Sequence, residues 1–137
     1  MMLEILERSR SVAVLGIHVD AERPAHYVPA YLHQQAYRIL GVNPKLAGEE
    51  LFGVRVVARL ADLREPVDVV DVFRRSEFMS AHLPELLALS PRPGAVWMQQ
   101  GVRDDEVARA LREVGIDVVQ DRCMLRQHRR LGLTRAR

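Results

Sequence analysis

Ser11-Val-Ala-Val-Leu-Gly16 is apolar without interruption after its first residue and ends on glycine. A strand wetted on one face alternates polar and apolar residues, whereas an unbroken run belongs to a strand covered on both faces, as in a parallel sheet between helical layers. The flanking sequence fits that reading. Upstream, Met2 to Glu7 has the spacing of a short helix. Downstream, the loop Ile17 to Arg23 leads to Pro24, whose fixed φ and missing N–H suit the first turn of a helix. Val28, Tyr31, Leu32 and Gln35 then recur at helical intervals, and Tyr37-Arg-Ile-Leu-Gly-Val42 reads as a second strand stopped by Asn43-Pro44.

The same alternation continues. A strand is expected over Gly53 to Val57 and a short helix over Leu60 to Arg64. Pro66 introduces a fourth strand, Val67-Asp-Val-Val-Asp-Val-Phe73, after which Ser76 is expected to cap a helix running to about Leu89. Ala95-Val-Trp-Met-Gln99 is the fifth strand, Asp104 to Val114 a helix closed by Gly115, and Ile116-Asp-Val-Val119 the sixth strand. Strands alternating with helices imply an α/β fold, a Rossmann-like doubly wound parallel sheet of five to six strands in three α/β/α layers. Connections are short and no repeat is visible, so residues 1–137 are read as one domain.

Composition narrows the function classes. The chain has 137 residues, enough for a core without staples, and its single cysteine, Cys123, excludes an internal disulfide framework and a multi-cysteine metal site. A lone thiol suits a reducing compartment, and Met1 to Arg10, with its acids and arginines, is neither a secretory signal nor a transit peptide; a cytoplasmic location is expected. No apolar stretch approaches the roughly 20 residues that span a bilayer, so no membrane role is expected. Of 20 basic residues, all but Lys45 are arginine, the side chain suited to forked contacts with phosphate or carboxylate. The cluster Arg126, Arg129, Arg130, Arg135 and Arg137 lacks interleaved aromatics and reads as a solvated tail, not a nucleic-acid footprint.

Right-handed crossovers wind the chain outward from strand one in one direction and then return it to strand four on the other side. The crevice at that switch point is where a ligand binds. The residues projecting into it follow strands one, two, four and five: Gly16, Ile17, His18 and onward to Arg23; Asn43 to Lys45; Arg74 and Arg75; Gln99 to Gly101. Gly16 precedes a helix whose first-turn N–H groups suit a pyrophosphate. The dinucleotide pattern G-x-G-x-x-G is absent from Gly16-Ile-His-Val-Asp-Ala21, and Asn43-Pro44-Lys45 stands where an acid would hold ribose hydroxyls, which argues against NAD. Lys45 suits a further phosphate on the ribose, a feature shared by coenzyme A and NADP. Arg74 and Arg75 can clamp phosphates, with Glu77 near enough in sequence to pair with one of them. Neither Asp68 nor Asp71 is expected to be catalytic.

Val14-Leu-Gly16, Arg23-Pro24, Tyr37-Arg-Ile39, Val42-Asn-Pro-Lys45, Pro66 through Arg75, Val96-Trp-Met-Gln99, Gly101-Val102 and Asp121-Arg-Cys123 follow one another in order across nearly the whole chain. In this set the sequence resembles the small stand-alone CoA-binding proteins, relatives in fold of the CoA-binding domain of the succinyl-CoA synthetase α subunit. The resemblance implies that the 3′-phospho-ADP part of CoA lies across strands one and two. The pyrophosphate would sit at Gly16 and Lys45 near the ribose phosphate, while the pantetheine arm passes Arg74 and Gln99. It adds Pro24 and Phe73 to the candidate binding residues. Ala25 replaces a hydroxyl common in relatives, and His18 a small polar residue.

The resemblance implies no catalysis, because the phosphohistidine and nucleotide-grasping parts of the synthetase belong to other domains. Neither the histidines (18, 26, 33, 82 and 128) nor Cys123 form a recognisable acid–base or nucleophile spacing. The expected function is a non-catalytic module binding CoA or acyl-CoA, with no metal, acting as sensor, carrier or subunit of a larger assembly. The alternatives are an NAD(P)-dependent oxidoreductase or redox sensor, and an acyl-CoA enzyme using Cys123. Cys123 reads as a small buried residue; exposure at the crevice would put it in reach of the CoA thiol.

Overall fold

The computed structural model describes residues 1–133. In chain order the elements are α1 (Met2–Arg8), β1 (Ser11–Leu15), α2 (Pro24–Gln34), β2 (Arg38–Val42), β3 (Glu50–Leu51), β4 (Val54–Arg55), β5 (Val69–Val72), α3 (Met79–Ala88), β6 (Ala95–Met98), α4 (Asp105–Glu113), β7 (Asp117–Val119) and α5 (Met124–Arg130). Five strands form one parallel sheet in the order β2-β1-β5-β6-β7. The β1 residues that anchored the sequence reading lie at the centre, pairing Val12 and Leu15 with Ile39 and Val42 on one side and with Val69 and Val72 on the other.

Alternation along each buried strand divides the core in two. Ala13, Leu15, Val70, Val72, Val96 and Met98 face α3 and α4, where Met79, Leu86, Val107 and Leu111 cover them. Val12, Val14, Val69 and Trp97 face the other layer, with Ile5, Leu6, Val28, Leu32 and Met124. Asp104 starts α4 by accepting a 3.0 Å hydrogen bond from the Val107 amide, and Gly115 ends it at φ +87°. At the base of the sheet Asp68 accepts from the amides of Arg10 and Ser11, which makes it a structural clasp.

Four expectations need correction. The segment Gly53 to Val57 is not a strand of the main sheet: positive φ at Phe52 and Gly53 turns the chain into the antiparallel β3–β4 hairpin, and Val57 alone bridges to Val42. The helix expected over Leu60 to Arg64 is a single 3-10 turn, Leu60–Asp62. Ser76 does not cap a helix. It opens a 3-10 turn before α3, and its hydroxyl accepts from the Arg103 amide at 2.9 Å and donates to the Gly101 carbonyl at 3.2 Å, tying the ends of β5 and β6 together. The basic tail is helical as far as Arg130: α5 packs Met124, Gln127 and His128 inward, and the Tyr31 hydroxyl lies 2.7 Å from His128 Nδ1. Arg135 and Arg137 lie outside the described residues.

Candidate functional site

The chain leaves β1 and β5 in opposite directions, so their C-terminal ends part and open the crevice where the switch point places it. Gly16 lies at its floor, at φ +92°, and a Cβ there would stand 2.5 Å from the Phe73 carbonyl oxygen. Only glycine allows the loops after β1 and β5 to approach so closely. The crevice has two lobes that share Gly16, His18, Phe73 and Arg74. One, of about 480 Å³, extends over β2 to Asn43, Pro44 and Lys45. The other, of about 860 Å³, extends over β6 to Gln99 and Gly101, between the start of α2 at Arg23 and Pro24 and the α5 residues Arg126 and Arg129.

Apart from Ile17, Asp20, Ala21 and Glu22, the residues expected at the ligand line a single groove. Ile17 has its side chain fully buried beside Gly41. Its contribution is the backbone: the Ile17 carbonyl accepts from Asn43 Nδ2 at 2.8 Å, while Asn43 Oδ1 accepts from the Lys45 amide at 2.9 Å. Asn43 therefore fastens the loop after β2 to the loop after β1 and presents Lys45 from a fixed turn. Gly101, at φ +88°, donates its amide to Asp121.

The first turn of α2 is a poorer anion site than the bare presence of a helix suggests. Pro24 has no N–H, and the His26 and Tyr27 amides both donate to the Arg23 carbonyl at 2.9 Å. Ala25 keeps the first-turn amide without a partner among the described residues. Positive side chains line the groove instead. Lys45 and Arg59 stand on the β2 lobe, Arg23, Arg75, Arg126 and Arg129 on the β6 lobe, and Arg74 at the waist, whereas Glu85 is the one acid on these walls among the described residues.

Glu85 is itself engaged. Arg74 lies over the Phe78 ring at 4.7 Å and donates from Nε to His82 Nε2 at 3.3 Å. An arginine only donates, so this nitrogen of His82 accepts, the proton sits on Nδ1, and Nδ1 donates to Glu85 Oε1 at 2.8 Å. The relay holds Arg74 by edge and face at the junction of the lobes. Glu77 makes no ion pair with Arg74 or Arg75 among the described residues, so neither arginine is neutralised by it.

Beneath the β6 lobe lies a buried acid. Asp71 faces the α2 and α5 layer at zero exposure and accepts at Oδ1 from Gln99 Nε2 at 2.7 Å, while Oδ2 has no partner. Burial pushes its pKa up to about 8, the Gln99 hydrogen bond acting in the opposite sense, so the carboxyl is protonated at neutral pH. Gln99 is accordingly committed through its amide nitrogen to the sheet. Cys123, expected to be buried, is partly exposed and lines the crevice. Trp97 is fully buried in the core and donates Nε1 to the Arg122 carbonyl at 2.9 Å. Among the described residues no group of three or more His, Cys, Asp or Glu is placed to hold a metal, and no helix is long and apolar enough to cross a membrane.

Sequence reasoning missed the α5 arginines, Cys123 as a wall residue, and the Arg74–His82–Glu85 relay. For the relay a signal was present, since His82 and Glu85 are three apart on one helix and face the same way.

Fold and crevice define a doubly wound α/β protein with an arginine-rich groove at its switch point. The chain belongs to the CoA binding domain family, whose match spans residues 10–129. It is similar to the uncharacterized protein YneT of Bacillus subtilis, at 35% identity over 125 residues, 91% of this chain and 90% of that one. It is also similar to cell-free ID.343 from Thermus thermophilus, with 54% identity, a TM-score of 0.90, and coverage of 95% and 96% of the two chains. The fold recurs within a dinucleotide-forming acetyl-coenzyme A synthetase of Ca. Korarchaeum cryptofilum, at 18% identity and a TM-score of 0.70 over 86% of this chain and 27% of that one.

Proposed function

We propose that the groove binds coenzyme A or an acyl-CoA and that the protein is a binding module without turnover of its own. The observation that carries this reading is the placement of Lys45, Arg74 and Arg23 along one groove centred on Gly16, with a lone acid that is already bonded to His82. The order of groups along CoA matches the order along the groove. The ribose phosphate lies by Lys45 in the β2 lobe. The pyrophosphate crosses the waist at Gly16, beside Arg74 and Arg23, with the Ala25 amide as its backbone donor. The uncharged pantetheine arm runs down the β6 lobe past Gln99, Gly101 and the exposed ring of Tyr27.

The assignment favours CoA over NAD because the end of β2 offers a cation in place of a carboxylate that would accept from ribose hydroxyls. Calorimetric titration with CoA, dephospho-CoA, NADH and NADPH tests it. CoA binding that weakens on loss of the 3′-phosphate is the expected result. Preference for a nicotinamide cofactor would replace this reading with a redox one, and absence of binding to all four would remove it.

A further inference from the structure

The β6 lobe carries more positive charge than CoA itself explains. With the proposed placement, Lys45 attends the ribose phosphate on the β2 lobe, where Arg59 also stands, and Arg23 and Arg74 attend the pyrophosphate. Arg75, Arg126 and Arg129 remain, all on the lobe assigned to the neutral pantetheine arm. None of the three has a carboxylate partner among the described residues: Arg126 donates to the Gln100 side-chain oxygen at 3.4 Å, and Arg129 lies over the Tyr31 ring at 4.9 Å. No acid among the described residues lines this lobe. Like charges gathered on a concave wall raise the local potential and favour an anion inside it.

We infer that the acyl end of the ligand is anionic, an acyl-CoA whose acyl chain ends in a carboxylate held by Arg126 and Arg129 on α5. The inference rests on the CoA reading and extends it from the carrier to the acyl group. Two features of α5 make it a suitable wall. Its inner face is anchored by Met124 and by His128, the latter bonded to Tyr31 of α2, so its outer arginines stand on a fixed support. The guanidinium of Arg129 is held over Tyr31, an arrangement that leaves its N–H edge free to fork onto a carboxylate.

The test compares acyl-CoAs matched in chain length. Malonyl-CoA is titrated against propionyl-CoA, and glutaryl-CoA against pentanoyl-CoA, into the intact chain and into the double variant Arg126→Gln/Arg129→Gln. Both arginines are exposed, so the variant is expected to fold, and unchanged far-UV circular dichroism checks this. The expected result is that at least one anionic member binds about tenfold or more tightly than its neutral counterpart, and that the ratio falls toward one in the variant. Because the ratio is taken within each protein, a general loss of CoA affinity cancels. A ratio at or below one in the intact chain, with CoA itself binding, overturns this inference and leaves the CoA reading standing. A tenfold ratio that survives in the variant overturns the assignment to α5. Failure of CoA to bind at all removes both.

Discussion

Replacing Asp71 by asparagine should stabilise the protein increasingly as the pH rises. Asparagine has the shape of the protonated acid: its oxygen accepts from Gln99 Nε2 as Asp71 Oδ1 does, and its NH₂ takes the place of the unpartnered Oδ2. The difference lies in titration. The folded carboxyl holds its proton up to about pH 8, whereas the ordinary value from which it is raised is 3.8. Between those values the folded state binds more protons than the unfolded state, so the stability is full below the lower value and is lost as pH rises to the higher. The slope is about 1.4 kcal/mol per pH unit, so the native protein should lose roughly 3 kcal/mol from this group between pH 5 and pH 7. Asp71→Asn lacks this term, and all other titrating groups are common to both proteins. Urea denaturation at intervals from pH 5 to pH 9 gives the gap directly as a difference in midpoint at constant m-value. The gap should widen to about pH 8 and then level. Parallel stability curves would refute a buried neutral carboxyl at position 71.

Lys45→Ala should weaken CoA by about ten- to hundredfold while changing dephospho-CoA much less, because the lost contact is a charge-assisted one to the ribose phosphate; equal losses measured calorimetrically would move Lys45 away from that phosphate. Gly16→Ala forces a methyl group to within 2.5 Å of the Phe73 carbonyl oxygen at a positive φ, and a destabilisation of about 1–3 kcal/mol, with loss of ligand binding, should appear in the same denaturation assay. His82→Phe removes the acceptor that holds Arg74 and should weaken CoA severalfold, with His82→Gln recovering most of the affinity by offering an amide oxygen; identical affinities in both variants would show that Arg74 needs no such support.

The main sheet was legible because strands buried on both faces admit little besides apolar residues, and Ser11–Leu15 and Val69–Val72 stand out as runs even though Asp71 interrupts the second. The crevice was legible for a topological reason: once strand order is known, the loops that meet above the sheet follow. What escaped depends on side-chain direction and on polar residues doing apolar work. Ile17 belongs to a loop of the crevice, yet its side chain turns under the sheet edge against Gly41. In α5 the inward face is carried by Gln127 and His128 as well as Met124, so hydrophobic spacing gave no warning of a helix and its arginines passed for a solvated tail. Gly53 to Val57 has the composition of a strand but the dihedral angles of a turn at its start, and composition alone does not distinguish a hairpin arm from a member of the central sheet.

The waist of the crevice has a consequence for how affinity is distributed along a ligand. Two lobes of about 480 and 860 Å³ meet at Gly16 and Arg74, so on the CoA reading proposed above the groove would act as a bidentate chelator of a two-headed molecule. Once one head is seated, the other is confined near its own lobe at a high effective concentration, and the linked molecule binds far better than either half. Adenosine 3′,5′-bisphosphate and 4′-phosphopantetheine should each bind weakly, even together. Cutting the ligand at its pyrophosphate would release both pieces, although each retains most of its contacts.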